Sequence, residues 1–340
     1  MKHNLQRGLV VLVTLSIAIF FLGTLSYAKE WTLKLSHGDA ESSNPTHQTS
    51  LKFKELVEKY TDGGVKVVIY ANNALGNEQE VAQAVRQGNI EGEILATTNL
   101  QPLAPSIGVL QLPYLFSGHE ESWKTIAATL PEIRSRVLKE SGVRIVAIYE
   151  KGFRVLSNSK KPVEMIGDLQ GLKIRTSKSK APIETFKAWG LDVIPMAWDE
   201  VFSALQQKVI DGQENPYTTL VTSKFYEVQK YVTEIHYTLW TGPLIISEKW
   251  FQQLPAEYQE AITKAGAESA TFEWKYSTDM IEGTKKDLVA KYNMVLSGPP
   301  KDEEIWKEKA MSIWPSFYND FGGEEWVNKF LEIKAEATKM

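Results

Sequence analysis

Gly171-Leu-Lys-Ile-Arg175 and, further along, Asp211-Gly-Gln-Glu-Asn-Pro216 are the two segments from which the architecture is read. The first places a guanidinium at the end of a short apolar run with strand character. The second sets a carboxamide just before a proline, whose ring pushes Asn215 toward extended backbone. An Arg fork binds both oxygens of a carboxylate through charge-assisted hydrogen bonds, and an Asn side chain both donates and accepts. Together the two segments predict a site that grips a small organic acid. Taken singly, each has a plainer reading: Arg175 as a surface cation paired with a nearby acid, Asn215 as a turn residue.

The amino terminus carries its own signal. Lys2, His3 and Arg7 precede an apolar run from Gly8 to Leu22, and Ser26-Tyr27-Ala28 places small residues where a signal peptidase reads them. This is the pattern of a secretory signal peptide over residues 1–28, cleaved after Ala28. The run also falls short of the roughly 20 residues that span a bilayer. Removing it leaves a chain longer than the ~250–300 residues at which one core stops growing, so two domains are expected. The net charge of −4 gives no basic footprint for nucleic acid. The chain has no cysteine, which excludes disulfides, thiolate metal sites and lipid attachment at cysteine. An exported chain without disulfides fits a bacterial periplasm.

Strands and helices alternate beyond the signal, which predicts an α/β fold. Trp31 to Ser36 alternates apolar and polar, as a half-buried strand does. Thr46 to Tyr60 has helical spacing, Asp62-Gly63-Gly64 is a turn, and Val65 to Tyr70 is a second strand. Asn77 with Glu80 is a capping-box start for a helix carrying Val81, Ala82 and Val85. Arg144–Tyr149, Phe153–Ser157 and Leu172–Arg175 read as strands, and Lys180–Trp189 as a helix. Trp198, Val201, Phe202 and Leu205 define a helical face closed by a turn at Asp211-Gly212. Tyr231 to Ile246 has strand character. A long helical pattern from Pro255 to Tyr292, with a break expected near Gly283, precedes two amphipathic helices.

Other candidates stand beside their plain alternatives. Arg154 faces away from the core if Phe153 and Val155 face toward it, as a ligand contact or on a solvated strand face. Glu214 is a structural partner for one of the arginines. Trp198 and Trp240 are either packed core, the usual fate of tryptophan, or a wall against a carbon skeleton. His119-Glu-Glu-Ser-Trp123 lacks the second histidine of a zinc helix, and no nucleophile elbow, phosphate loop or dinucleotide fingerprint occurs.

Several segments resemble the solute receptors of tripartite, ATP-independent periplasmic (TRAP) transporters, the DctP-type binding proteins. They are Leu75-Gly-Asn-Glu-Gln-Glu80 with Val85-Arg-Gln-Gly88, Leu112-Pro-Tyr-Leu-Phe116, Gly171–Arg175, Pro195-Met-Ala-Trp198, Asp211–Pro216 and Lys224-Phe-Tyr-Glu-Val-Gln229. Their order and spacing carry the resemblance. It implies a two-lobed, type II periplasmic-binding-protein fold with a ligand cleft between the lobes and long carboxy-terminal helices. Residues 29–151 plus about 241–280 would form lobe I, and 152–240 plus about 281–340 lobe II. Arg175 would clamp the ligand carboxylate, Arg154 would line the cleft as a second arginine, and Asn215 would orient the acid. Trp198 matches an aromatic wall, and Tyr217, Trp240, Asn99 and His37 complete the expected ligand-binding set.

The sialic-acid receptors carry a glutamate and an arginine near Ala96 and Asn99, so this resemblance argues against sialic acid. Gly152-Phe-Arg154 and Ser177-Lys-Ser-Lys180 are closer to receptors for four-carbon dicarboxylates, with Lys180 near the two arginines. The expectation is a non-enzymatic, monomeric periplasmic receptor, free of cofactor and metal, that closes on an organic acid by a hinge motion and docks on TRAP membrane subunits. A sugar acid or an aromatic or branched monocarboxylate is the alternative ligand. A periplasmic enzyme using Glu214, Asp39 or Glu93, or a sensor subunit serving a membrane kinase, is the alternative of another class.

Overall fold

The computed structural model describes residues 30–339; the expected signal peptide lies outside the described residues. Among the described residues, ten strands run in chain order as β1 Trp31–His37, β2 Val65–Tyr70, β3 Gly92–Ile94, β4 Val143–Asn158, β5 Ile174–Thr176, β6 Ile194–Pro195, β7 Gly212–Pro216, β8 Tyr231–Thr233, β9 Leu239–Ser247 and β10 Val295–Ser297. The helices that position the site are α1 Pro45–Tyr60, α2 Glu78–Gln87, α3 His119–Ser141, α4 Lys180–Ala188, α5 Tyr217–Thr222, α6 Ala256–Ala290, α7 Glu303–Ser312 and α8 Glu324–Ala337.

The strands form two sheets that share β4. In the first, the order is β2-β1-β3-β9-β4, with β1 parallel to β2 and β3, and β9 antiparallel to β3 and β4. In the second, β7 lies antiparallel to β4 and parallel to β5, which pairs β6; β8 pairs the end of β4 and carries β10. Each sheet is packed between helices, which gives two lobes. The sequence predicts two strands over Arg144–Ser157; the structure has one strand of 16 residues that runs from lobe to lobe. The interruption read at Glu150–Gly152 is a bulge against β9 between Glu150 and Gly152, and Gly152 has a φ of +102°, which favours glycine.

Four apolar clusters fill the lobes. One holds Leu33, Leu35, Phe53, Val57 and Ile262 between β1, α1 and α6, and a second packs Val81, Val85, Ile107 and Ile133 on the other face of that sheet. Phe186, Trp189, Tyr237 and Trp306 anchor the third, and Val155, Leu205, Leu220 and Phe225 the fourth. The capping box at α2 forms as read: Asn77 Oδ1 accepts from the Glu80 amide at 3.1 Å, and Glu80 Oε2 from the Asn77 amide at 3.2 Å.

Three expectations are corrected. Asp211-Gly212 does not close a helix with a turn and leave the sheet, because Gly212 begins the central strand β7. A Cβ there would lie 2.3 Å from the Ser157 carbonyl, so the close approach of β4 requires glycine. Helix α6 runs unbroken for 35 residues through Gly283, reaching α1 in lobe I and α5 in lobe II. The carboxy terminus divides between the lobes: α7 buries Trp306 in the second, whereas α8 buries Trp326, Val327 and Phe330 in the first. The reading that gives residues 281–340 to lobe II alone therefore fails at α8.

Candidate functional site

The carboxyl ends of the parallel strands point into the space between the lobes, where open α/β sheets gather ligands. Asp39 follows β1, Ala96, Thr98 and Asn99 follow β3, Arg175 and Ser177 end β5, and Trp198 follows β6. Lys151 and Arg154 come from β4, Asn215 from β7, Thr219 from α5, Trp240 from β9 and Glu78 from the first turn of α2. These residues line a cleft with about 390 Å³ of space unoccupied by protein, a figure that includes solvent open to its mouth.

Arg175 is 4% exposed, and its Nε and Nη2 both donate to the Met196 carbonyl, at 3.1 and 2.7 Å. That contact fixes the guanidinium plane and uses one edge of the fork. The other edge, made by Nη1 and the second hydrogen of Nη2, has no partner among the described residues. Burial pushes Arg175 down to about 10, with Glu214 opposing, so it stays charged at neutral pH. No carboxylate lies within ion-pair distance of it among the described residues.

The other two cations lining this cleft are already neutralised. Arg154 Nη1 donates to Glu214 Oε2 and the Glu214 carbonyl, both at 3.0 Å, and to Asn215 Oδ1 at 3.3 Å. Lys151 Nζ sits 2.8 Å from Asp39 Oδ2 and 3.9 Å from the centre of the Trp240 ring. Burial opposes ionisation of Asp39, but the Lys151 ammonium outweighs it and holds the carboxyl below its usual range. β7 is buried, and its polar side chains are satisfied by one another and by β4. Gln213 Nε2 donates to Ser157 Oγ at 2.9 Å, and Asn215 Nδ2 to Gln213 Oε1 at 2.5 Å.

Uncharged hydrogen-bonding groups fill the rest of the wall. The hydroxyls of Thr98, Ser177 and Thr219 are buried without a partner among the described residues, a costly state in a folded protein. Glu78 Oε2 accepts from the Ala96 amide at 3.0 Å and from Asn99 Nδ2 at 2.5 Å. Burial raises the Glu78 carboxyl above its usual range, against the pull of Asn99. Bonds cross from lobe to lobe, among them Trp198 Nε1 to the Gly38 carbonyl at 3.3 Å and Asn44 Nδ2 to Thr222 Oγ1 at 3.0 Å.

Of the residues expected at the site, Arg175, Arg154, Asn215, Trp198, Trp240 and Asn99 meet in this cleft. His37 and Tyr217 do not line it. His37 is fully buried at the end of β1, with Nε2 3.2 Å from His47 Nδ1, and burial pushes its pKa down to about 4. The Tyr217 hydroxyl donates to Glu234 Oε1 at 2.5 Å and faces a separate cavity behind β4, with Phe153 and His236. Lys180, placed by sequence near the arginines, pairs instead with Asp320 at the surface. Glu93 is buried on β3 outside the lining, and burial raises its carboxyl well above the usual range. Sequence reasoning missed Lys151, Glu78, Thr98, Ser177 and Thr219. Glu78 lies inside the Leu75–Glu80 motif, Ser177 opens the Ser177–Lys180 stretch and Lys151 adjoins Gly152; the hydroxyls of Thr98 and Thr219 carry no signal of their own.

The sequence profile of bacterial extracellular solute-binding proteins, family 7 (DctP), matches residues 35–320. The 2,3-diketo-L-gulonate-binding periplasmic protein of Escherichia coli is 30% identical over 279 residues, covering 81% of this chain and 85% of that protein. Among solved structures, a TRAP periplasmic solute-binding protein from Rhodobacter sphaeroides, open and without ligand, is 52% identical with a TM-score of 0.78, covering 91% of this chain and 100% of that one. The sugar-acid-binding protein of Advenella mimigardefordensis in complex with galactonate is 31% identical with a TM-score of 0.86, covering 91% and 99%. A Sulfurospirillum deleyianum receptor with bound succinate is 26% identical with a TM-score of 0.81, covering 89% and 99%. On the match over 35–320, the relatives and the two-lobed fold, this chain belongs to the DctP family of TRAP-type periplasmic solute-binding proteins.

Proposed function

We propose that this chain is a periplasmic receptor for a polyhydroxy monocarboxylate, a sugar acid, which it delivers to TRAP membrane subunits. The observation that carries the reading is the charge pairing in the cleft. Of the three cations lining it, Arg154 and Lys151 already hold Glu214 and Asp39, and only Arg175 lacks a carboxylate among the described residues. One ligand carboxylate on the free edge of Arg175 is therefore the arrangement that needs no internal ion pair to break. Three unpartnered hydroxyls and the Glu78 and Asn99 side chains suit a ligand rich in hydroxyl groups. The galactonate complex of the Advenella mimigardefordensis protein supports the same class.

The four-carbon dicarboxylate expected from the sequence is the weaker reading. A second carboxylate would have to displace Glu214 from Arg154 or Asp39 from Lys151, and would be repelled by Glu78 if that carboxyl is ionised. The succinate-bound relative keeps it as the alternative. No acid–base pair is proposed, because Glu214 and Asp39 are each committed to a cation and Glu93 lies off the cleft. Closure follows from contacts made to both lobes at once, which shift the population toward the closed form.

Native mass spectrometry of the protein purified from its periplasm, followed by release and identification of bound small molecules, tests the reading. A stoichiometric sugar acid is the expected result. An empty protein leads to a thermal-shift screen of aldonates, dicarboxylates and branched monocarboxylates, where a true ligand raises the melting temperature. A response to succinate and to no aldonate would overturn the sugar-acid assignment.

A further inference from the structure

Lys151 and Asp39 are 4% and 7% exposed and form an ion pair at 2.8 Å between segments 112 residues apart. Burying two charges is costly, and an apolar pair of similar size usually stabilises a fold as well or better. Stability alone therefore gives little reason for this pair. Its position gives another: both residues line the ligand cleft, with the Lys151 ammonium against the Trp240 ring.

The ammonium has three N–H donors. One goes to Asp39, and the Trp240 ring, 3.9 Å from Nζ, occupies a second direction. Among the described residues nothing takes the third. The pair thus offers a charged donor beside a charged acceptor, at about the spacing of hydroxyls on neighbouring carbons. A hydroxyl both donates and accepts, so two adjacent hydroxyls match such a pair in both senses. The pair is also neutral as a unit, and so does not call for a second ligand carboxylate.

We propose that Lys151 and Asp39 act together as a specificity-determining element that reads two neighbouring hydroxyls of the bound acid. The assignment rests on the sugar-acid reading above and adds to it the residues that decide which polyhydroxy acids are accepted. Lys151 lies next to Gly152, at the bulge of the strand shared by both lobes, and Asp39 next to Gly38, whose carbonyl receives the Trp198 bond across the cleft. Hydroxyl recognition is therefore placed where the lobes meet.

Isothermal titration with D-galactonate, L-gulonate and D-erythronate, and then with the monodeoxy forms of whichever binds tightest, tests it. The wild-type protein should lose affinity when either of two adjacent hydroxyls is removed. The Asp39→Asn, Lys151→Met double variant should bind the parent acid about 10- to 100-fold more weakly, the scale of hydrogen bonds to charged groups. It should then be indifferent, within a factor of about two, to loss of those same hydroxyls. Arg175→Lys, in contrast, should weaken every analogue by a similar factor. If the double variant does not melt cooperatively, Asp39→Asn alone must erase the preference for at least one of the two hydroxyls. Wild-type affinity in the double variant, or an unchanged ranking of the deoxy acids, overturns the proposal. A wild-type protein that binds succinate and none of the three aldonates overturns the sugar-acid reading itself, and this role with it.

Discussion

Trp198 Nε1 donates to the carbonyl oxygen of Gly38 at 3.3 Å, joining residues 160 positions apart and the two lobes across the cleft. The ring also packs on Phe225, at 5.6 Å between centres, so its position is set from lobe II. Trp198→Phe keeps the packing and removes the bond. A neutral hydrogen bond contributes about 1 kcal/mol, so the closed form should fall roughly fivefold relative to the open form. Small-angle scattering of the ligand-free variant should show a larger radius of gyration than wild type, and ligand affinity should weaken by a similar factor.

Arg175 is the cleft cation without an internal carboxylate. Arg175→Ala should weaken carboxylate binding by at least about 100-fold, because a charge-assisted, bidentate contact is lost from a buried site. The thermal shift given by the ligand should vanish with it. Circular dichroism should show the fold retained, and full affinity in this variant would remove the basis of the proposed site.

Glu214 neutralises Arg154, and Glu214→Gln should expose that dependence. Leaving a buried charge unpaired costs about 3–5 kcal/mol, so the ligand-free variant should melt well below wild type. With a second guanidinium released, succinate should bind at least about tenfold more tightly than it does to wild type. Thermal shift against succinate and an aldonate, side by side, reads both effects.

A separate prediction concerns pH. Glu273 on α6 is 1% exposed and accepts from the Glu150 amide at 3.0 Å and from Ser277 at 2.6 Å. Burial raises its pKa from 4.5 to about 8, with Glu150 adding to the rise and Ser277, the Glu150 amide and Lys151 opposing. The folded protein thus holds this proton more tightly than the unfolded chain. The stability it contributes is complete below pH 4.5 and is lost as pH rises through about 8. Melting temperature should fall across that window, and Glu273→Gln should flatten the fall. An equal slope in the variant would assign the pH dependence to other groups.

Gly152 tests the strand shared by the lobes. Its φ of +102° and the 3.3 Å approach of Ile281 Cδ1 to a built Cβ oppose any side chain there. Gly152→Val should destabilise the protein by about 1–3 kcal/mol through backbone strain, measured by chemical unfolding.

Much of this was legible in the sequence where local chemistry decides structure. The alternation of Trp31–Ser36 gave its strand, and Asn77 with Glu80 gave the start of α2, because both signals depend only on neighbours. The resemblance carried by Gly171–Arg175 and Asp211–Pro216 led to the fold and family. Other features escaped for a physical reason. β7 is polar, so no hydrophobic period marks it as a central strand; its burial is possible because Arg154 and Ser157 on β4 satisfy it, with Gln229 in turn accepting from Ser157.

The sequence by itself determined an α/β chain of the DctP family and brought Arg175, Arg154 and Asn215 forward as residues to examine. Which charges remain available to a ligand was decided only by the tertiary structure. Lys151 finds Asp39, and Arg154 finds Glu214, through folding that joins residues 112 and 60 positions apart. Such pairing leaves no trace in local spacing, because electrostatic neutralisation depends on distance in space and on the loss of screening water. The same folding carries His37 and Tyr217 away from the cleft and leaves Arg175 as its unpaired cation.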